Sequence, residues 1–279
     1  QDHKKLYIQI IKFYHCKKAT LINTFCAIQS LNINKNMKLN VLKSPNYSPE
    51  LRKKGQIKFI VIHYTGMQSE RESIRRLTNK KSKVSTHYLI NKKGGLIQMV
   101  EENKVAWHAG KSKWKNCINL NNQSIGIELV NKGHTHGYEN FTKKQLSRLI
   151  LLCKYLIKKY KINQKNVLGH SDIAPLRKKD PGEKFPWQLL SKKNLGYSSK
   201  IVGKKNIKNY LLKKTNLRNT FFSNLHTIGY RYFDLRKSTS LDFKIIKAFQ
   251  RRFRQTKVNG RIDQECLRIS HNLACYFKN

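Results

Sequence analysis

Short apolar runs alternate with amphipathic segments over the central part of the chain. Residues 57–64 are apolar and β-branched over the length of one strand, and residues 124–130 form a second such run. Residues 166–168 predict a third, shorter strand. Between the last two, Thr142 is the predicted N-cap of a long helix that ends near Lys159. This order of strands and helices predicts an α/β fold. The apolar face of the long helix consists of Leu146, Leu149, Ile150, Cys153, Leu156 and Ile157.

The segment between the first two predicted strands contains a short helix and a hairpin. Residues 70–78 have the composition of a short helix. Residues 84–90 alternate as a strand does, and residues 91–95 (Asn-Lys-Lys-Gly-Gly) are typical of a turn. The turn leads into a further apolar run at residues 96–100, so we expect an antiparallel pair here.

The two ends of the chain differ from its centre. Residues 1–40 contain one acid, Asp2, and no clear periodic pattern. They can be a degraded export signal, an extension, or a result of where the reading frame was opened, and all three interpretations stay open. After Trp187 acidic residues become scarce. We expect a catalytic region over residues 41–195, a linker at 196–205 and a helical domain over 206–279. The predicted helices of that domain are Ile207–Lys213, Leu241–Phe253 and Asp263–Cys275.

The chain is strongly basic, with 58 Lys and Arg against 15 Asp and Glu and a net charge of +43. Such a surface attracts polyanions, including nucleic acid, anionic lipid and acidic wall polymers. Part of the charge can also reflect an A- and T-rich coding sequence. We therefore expect at most weak, non-specific polyanion binding, and we predict no obligate protein partner. The six cysteines form no CxxC pair, so we expect no required disulfide and a buried thiol at Cys153.

Two histidines and one aspartate form the most informative pattern in the chain. His63 ends the first predicted strand, and His170 and Asp180 lie ten residues apart in the segment after the third. Imidazole and carboxylate groups suit Zn²⁺, and three protein ligands leave a fourth position for water. A structural zinc site normally has four protein ligands. The pattern therefore predicts one catalytic zinc ion. An acid in the second strand, Glu128, has an inward position on an otherwise apolar segment, where an ionised carboxylate needs a partner or a task.

Five segments in this order resemble the zinc-dependent N-acetylmuramoyl-L-alanine amidases of type 2, whose fold is that of the peptidoglycan recognition proteins. The resemblance implies a mixed central β-sheet flanked by helices. A shorter likeness, over residues 243–263, resembles the three-helix peptidoglycan-binding module. The five segments are Val61–Thr65, Val84–Ile90, Ala106–Gly110, Ser124–Glu128 and Gly169–Gly182.

The resemblance also implies roles for individual residues. His63, His170 and Asp180 match the zinc ligands of the family. Glu128 matches the general base that acts on the water, and Lys178 matches the lysine that stabilises the oxyanion. The alternative for Lys178 is a generic cationic loop, because Arg177 and Lys179 flank it.

Four further residues are candidates for contact with the substrate. An aromatic face suits a sugar ring and imidazoles suit polar groups, so we assign Trp107, His87 and His108 to the cleft. Packing roles for Trp107 and His87 are an equal alternative. Lys83 lies where some members of the family have a basic residue for the acidic stem peptide. His134 and His136 resemble a metal pair, but their loop is flanked by glycines and we interpret them as incidental.

The sequence as a whole predicts hydrolysis of the amide bond between N-acetylmuramic acid and L-alanine in peptidoglycan or muropeptides. The expected location is the periplasm or cell envelope. Two alternatives stay open: a cytoplasmic recycling enzyme for anhydro-muropeptides, and a non-catalytic recognition protein. The complete ligand set argues against the second. No zinc-finger spacing or RNA-binding signature supports a nucleic-acid binder.

Overall fold

The computed structural model describes residues 38–198 and 217–278, which form ten strands and seven α-helices. Most of the predicted extension at 1–40, most of the predicted linker and the predicted helix at 207–213 lie outside the described residues. The strands are β1 (Leu39–Val41), β2 (Tyr47–Ser48), β3 (Phe59–Tyr64), β4 (Tyr88–Ile90), β5 (Leu96–Gln98), β6 (Val105–Ala106), β7 (Lys113–Trp114), β8 (Cys117–Ile118), β9 (Ser124–Leu129) and β10 (Val167–Gly169). The α-helices are α1 (Glu70–Thr78), α2 (Lys143–Tyr160), α3 (His170–Ile173), α4 (Trp187–Ser191), α5 (Leu217–Ile228), α6 (Asp242–Phe253) and α7 (Gln264–Lys278).

A six-stranded mixed sheet forms the centre of the α/β part, in the order β1-β5-β4-β9-β3-β10. Strands β4, β9, β3 and β10 are parallel, and β5 is antiparallel to β4. Two small sheets, β2–β6 and β7–β8, lie outside it. The predicted mixed α/β architecture is confirmed. Because parallel strands have their carboxyl ends at one edge, residues at the ends of β9, β3 and β10 are neighbours there.

The local predictions succeed where the apolar pattern is continuous. The strands predicted at 57–64 and 124–130 correspond to β3 and β9, and the long helix begins after Thr142 as predicted. Thr142 and Gln145 form a capping box, in which each side chain bonds to the backbone of the other residue. Cys153 is fully buried on the inner face of this helix, as expected. Among the described helices, none has both the length and the hydropathy that a membrane span requires.

The strand predicted at 84–90 is shorter in the structure, because β4 begins only at Tyr88. The N–H of Ser85 donates to the carbonyl of Trp107, while the hydroxyl of Thr86 donates to the carbonyl of Gly126. The segment thus bonds to two different parts of the chain instead of one neighbouring strand. Alternation of residue types does not encode this difference.

The C-terminal helices share a core with the α/β part. Phe59 and Leu168 of the sheet belong to one buried cluster together with Phe221, Phe249 and Leu273. Helix α5 was not among the predicted helices, although its buried residues repeat at helical spacing. These residues are Phe221, Phe222, Leu225 and Ile228.

Candidate active site

Three neighbouring strands deliver the candidate catalytic side chains to one edge of the sheet. In the register of β3 and β9, His63 pairs directly with Glu128. On the other side of β3, Gly169 pairs with Ile62, so His170 follows at the level of His63. Ligands of α/β proteins bind at this carboxyl edge of parallel strands. Residues distant in the sequence are therefore adjacent because of sheet order alone.

His63, His170 and Asp180 form a compact set of donor atoms. Nδ1 of His63 is 2.9 Å from Nδ1 of His170 and 3.1 Å from Oδ2 of Asp180. The third side, from His170 Nδ1 to Asp180 Oδ2, is 3.0 Å. All three residues are buried. Ligand atoms that each lie about 2.0–2.2 Å from one tetrahedral zinc ion are about 3.3–3.6 Å apart, so the triangle would hold one ion after an outward movement of its corners by a few tenths of an ångström.

The ionisation states of His63 and Asp180 suit a cation. Burial, reinforced by the nearby His170, lowers the pKa of His63 to about 4, so His63 is neutral at pH 7. Burial alone would raise the pKa of Asp180, but the adjacent imidazoles of His170 and His63 hold it well below its usual range. Asp180 is thus a carboxylate and His63 a neutral imidazole, the forms in which both residues bind metals.

The far nitrogen of each imidazole fixes which nitrogen faces the centre of the triangle. Nε2 of His170 donates to the carbonyl oxygen of Ala109 at 3.1 Å, because a carbonyl can only accept. The lone pair of His170 is therefore on Nδ1. Metal-binding histidines generally donate their second nitrogen in this way.

A longer chain of hydrogen bonds orients His63. The hydroxyl of Ser124 donates to the carbonyl of Leu120 at 2.5 Å and accepts from Nε2 of His108 at 3.2 Å. Nδ1 of His108 then accepts from Nε2 of His63 at 3.0 Å. Because Nε2 of His63 carries the donated hydrogen in this chain, its lone pair is on Nδ1. Two imidazole lone pairs and a carboxylate oxygen at these distances repel one another unless a cation lies among them, so the set fits a metal ion.

Two corners of the triangle, His170 and Asp180, line a cleft of about 390 Å³. Glu128, Trp107, His108 and Lys178 also line it. Its other lining residues include the cations Arg76, Arg177 and Lys179. The cleft therefore combines buried donors with a basic rim.

Unlike Asp180, Glu128 has no hydrogen-bond partner in the described part of the chain that anchors its Oε2 atom. It is partly exposed to the cleft, and its enclosed Oε2 has no hydrogen-bond partner among the described residues. Burial and the negative charge of Asp180 raise the pKa of Glu128 to about 8, while Lys178 and Arg76 oppose the rise. A carboxylate with such a pKa readily accepts a proton near neutral pH.

Comparison with known proteins agrees with this geometry. The family model of N-acetylmuramoyl-L-alanine amidase matches residues 53–183. The N-acetylmuramoyl-L-alanine amidase AmiD of Escherichia coli is 34% identical over 253 residues, with 84% of this chain and 90% of AmiD covered. The chain belongs to the N-acetylmuramoyl-L-alanine amidase family.

Solved structures support the same assignment over most of the amidase. The E. coli AmiD complex with anhydro-N-acetylmuramic acid-L-Ala-D-gamma-Glu-L-Lys matches with a TM-score of 0.66 at 34% identity and covers 81% of this chain and 91% of that one. AmpDh3 of Pseudomonas aeruginosa with anhydromuramic pentapeptide matches with a TM-score of 0.66 at 27% identity, over 82% and 96% of the two chains. The E. coli 1,6-anhydro-N-acetylmuramyl-L-alanine amidase AmpD is 43% identical, but over only 38% of this chain and 55% of its own length. The predicted family is confirmed, whereas the likeness of residues 243–263 to a peptidoglycan-binding module stays a prediction.

The four predicted substrate-contact residues occupy different places in the amidase. Trp107 and His108 line the cleft, and Nε1 of Trp107 donates to the hydroxyl of Ser48 at 3.0 Å. His87 is completely buried, and its Nδ1 accepts from the N–H of Gly126 at 3.0 Å. Lys83 is exposed and is not among the residues that line the cleft. The structure therefore brings two of the four to the cleft.

His134 lies in the cleft wall although its sequence context indicated no role. Its Nδ1 accepts from the hydroxyl of Tyr64 at 2.8 Å, and its Nε2 is 3.1 Å from a carboxylate oxygen of Glu183. Its ring stacks on Tyr138 at 4.5 Å. His134 thus links the end of β3 to the segment after Asp180. A polar residue beside a strand end is the one signal in the sequence that could have indicated this contact.

Proposed function

We propose that the protein hydrolyses the amide bond between the lactyl group of N-acetylmuramic acid and L-alanine, with one zinc ion held by His63, His170 and Asp180. The observation that carries the proposal is the triangle of three buried donor atoms beside Glu128, in a chain of this amidase family. Two nitrogens and one carboxylate oxygen suit Zn²⁺ and leave a position for water or the substrate carbonyl. When bound, the ion supplies Lewis acidity and lowers the pKa of water toward 7.

In this proposal Glu128 is the general base. Its carboxylate accepts a proton from the attacking water and returns it to the nitrogen of the departing L-alanine. Two properties support this role: the free Oε2, and the pKa of about 8, which favours proton transfer in both directions near neutral pH. Thr86 cannot replace it, because its hydroxyl is buried and donates to the carbonyl of Gly126.

Lys178 is the proposed stabiliser of the negative charge on the carbonyl oxygen. The neighbouring Arg177 is engaged elsewhere, because its guanidinium donates to the backbone carbonyls of Ala109 and Lys111. Lys178 lines the cleft and lowers the pKa values of both Glu128 and His63, so its charge acts on the centre. A fixed positive charge at that place stabilises a developing oxyanion.

The cleft has two chemically different parts for the two ends of a muropeptide. The indole of Trp107 offers an aromatic face for a sugar ring. Arg76 and Lys179 are cations on the rim that suit the carboxylates of a stem peptide. We propose that the glycan contacts Trp107 and that the peptide extends toward the cations.

Anhydro-muropeptides are a second candidate substrate class. The two solved relatives compared above hold anhydromuramic peptides, and AmpD is named for its action on the 1,6-anhydro sugar. Intact sacculi and soluble anhydro-muropeptides are therefore the two substrates to compare. A location in the periplasm or cell envelope remains our proposal for an enzyme of polymeric wall material, and fractionation of cells that make the full protein tests it.

The decisive experiment is mass spectrometry of both substrates after incubation with zinc-loaded protein. We expect free stem peptides and glycans that lack them. The Asp180→Ala and Glu128→Gln proteins are matched controls for contaminating amidases. Release of peptide by both variants at the wild-type rate, or no release by the wild-type protein, would contradict the proposal.

A further inference from the structure

The C-terminal helices contact the segments that carry two of the three candidate metal ligands. Ile173 and Leu168, on either side of His170, belong to the same buried cluster as Phe249 and Phe253 of α6. The end of α6 therefore packs against the β10–α3 junction. This packing brings polar groups of the helical region close to the candidate metal centre.

A buried ion pair joins the two parts at this junction. Nη1 of Arg252, in α6, donates to Oδ2 of Asp172, in α3, and both side chains are 1% exposed. Nη2 of Arg252 donates to the carbonyl oxygen of Val167, in β10, at 3.0 Å. The guanidinium also lies over the rings of Trp187 and Tyr197, at 4.0 and 4.5 Å. Arg252 thus contacts the strand before His170 and the helix that contains it.

Asp172 is held from three directions. Besides Arg252, the N–H of Gly169 donates to its Oδ2 at 2.7 Å and the hydroxyl of Tyr230 donates to its Oδ1 at 2.6 Å. Gly169 and Asp172 lie one residue before and two residues after His170. The position of the His170 backbone therefore depends on a carboxylate whose partners come largely from the helical region.

A second contact holds the segment after Asp180. Nε2 of Gln255, just beyond α6, donates to the carbonyl oxygens of Glu183 and Phe185 at 2.6 and 2.7 Å. The same end of α6 thus fixes the chain near both His170 and Asp180. The third candidate ligand, His63, lies on β3 and is not held by these contacts of Arg252 and Gln255.

We propose that Arg252 and Gln255 are positioning residues, through which the C-terminal helical region sets the affinity of the His63–His170–Asp180 site for its metal. The inference rests on the proposed metal site but not on the proposed reaction. A metal site binds tightly when its ligands are held in place before the ion arrives, and partners outside the ligand set typically contribute about 10–100-fold in affinity. Without Arg252, Asp172 would be a buried charge with fewer partners, and the β10–α3 junction would shift to solvate it.

The test measures zinc affinity of the full chain by competition with a chromophoric chelator. Arg252→Met should weaken binding by about tenfold or more, and Arg252→Lys, which keeps the charge, should recover part of the loss. Arg218→Met is the matched control, because it breaks another ion pair of the helical region, with Asp242 at 2.7 Å, away from the ligands. The control should keep wild-type affinity. The absorption spectrum of the cobalt-substituted protein provides a second readout of ligand geometry that does not depend on activity.

The zinc affinities of the variants decide whether Arg252 and Gln255 position the metal ligands. Equal zinc affinity of the Arg252→Met and wild-type proteins, even with a lower melting temperature for the variant, would overturn the proposal and leave Arg252 a purely structural residue. If Arg252→Met does not fold, Gln255→Ala decides, because it removes two hydrogen bonds and no buried charge. Unchanged affinity there would also overturn the proposal. Wild-type protein that binds zinc but does not cleave muropeptides would contradict the proposed function alone.

Discussion

Two acidic residues in different regions of the molecule, Glu128 in the cleft and Asp172 at the junction with the helices, have opposite surroundings. Glu128 is partly exposed and Asp172 is buried. Oε2 of Glu128 has no partner among the described residues, and burial raises its pKa to about 8. Asp172 accepts from a backbone N–H, a tyrosine hydroxyl and a guanidinium. The comparison shows that hydrogen-bond partners separate a carboxylate that is available to the cleft from one that holds the structure.

The proposed metal ligand Asp180 is the third acid in this comparison, and its loss should have the largest effect. Asp180→Ala leaves two imidazoles, which hold zinc weakly, so we expect loss of both the metal and the activity. Elemental analysis and the muropeptide assay measure the two quantities on the same sample. Stoichiometric zinc in the variant would show that another group completes the site. Chelation of the wild-type protein should likewise abolish activity, and added Zn²⁺ should restore it.

The next largest effect is expected for Glu128, the acid whose Oε2 has no hydrogen-bond partner within the residues that the structure describes. Glu128→Gln is nearly isosteric, so the protein should keep its zinc but lose roughly 10²–10⁴-fold in turnover. Because Glu128 must be deprotonated to act as a base, wild-type activity should rise with pH through its pKa. A cation bound by the three proposed ligands would shift that limb downward, to between the usual 4.5 and about 8. A pH–rate profile measures it. Wild-type turnover in the zinc-bound variant would assign the base to another residue, with His108 the first to test.

Stability should show whether the helices that partner Asp172 unfold together with the sheet. Phe249→Ala, in the core that the sheet and the helices share, should lower the free energy of unfolding by about 3–5 kcal/mol. Urea denaturation of the full chain measures the loss. Leu151→Ala, on an exposed position of α2, is the matched control and should change little. Two separate unfolding transitions, of which Phe249→Ala lowers only one, would mean that the helices form a separable module, as residues 206–279 were expected to do.

The smallest effects should come from two of the predicted substrate residues, Lys83 outside the cleft and Trp107 in its lining. Lys83 is exposed and does not line the cleft, so Lys83→Ala should leave turnover and KM for soluble muropeptides unchanged. Trp107→Ala should raise KM, because it removes the aromatic surface of the cleft. Steady-state kinetics on one purified muropeptide compare the two variants. A larger KM effect for Lys83→Ala would indicate that the stem peptide reaches beyond the cleft described above.

The sequence predicted most of the elements that surround the site, because their signals are local. Each of these signals spans only a few neighbouring residues. This holds for the apolar run of β3, for that of β9 and for the capping residues of α2. Helix α6 was also predicted, within one residue of its observed start. The shortening of the strand at 84–90 and the existence of α5 were not predicted. The shortening of the strand depends on contacts with Trp107 and Gly126, which are distant in the sequence. Helix α5, in contrast, has apolar residues at helical spacing in its own sequence.

By itself, the sequence determined the types of the donor residues and their order along the chain. Two histidines, an aspartate and a glutamate in this order, together with the resemblance to the amidase family, indicate metal-dependent hydrolysis. Tertiary structure decided which nitrogen of His63 faces the centre, because Ser124 and His108 reach it only through the neighbouring strand. It also decided that Arg252 meets Asp172, 80 positions away. Hydrogen bonds and ion pairs act over a few ångströms in space, so the partners of a side chain are fixed by packing and not by distance along the chain.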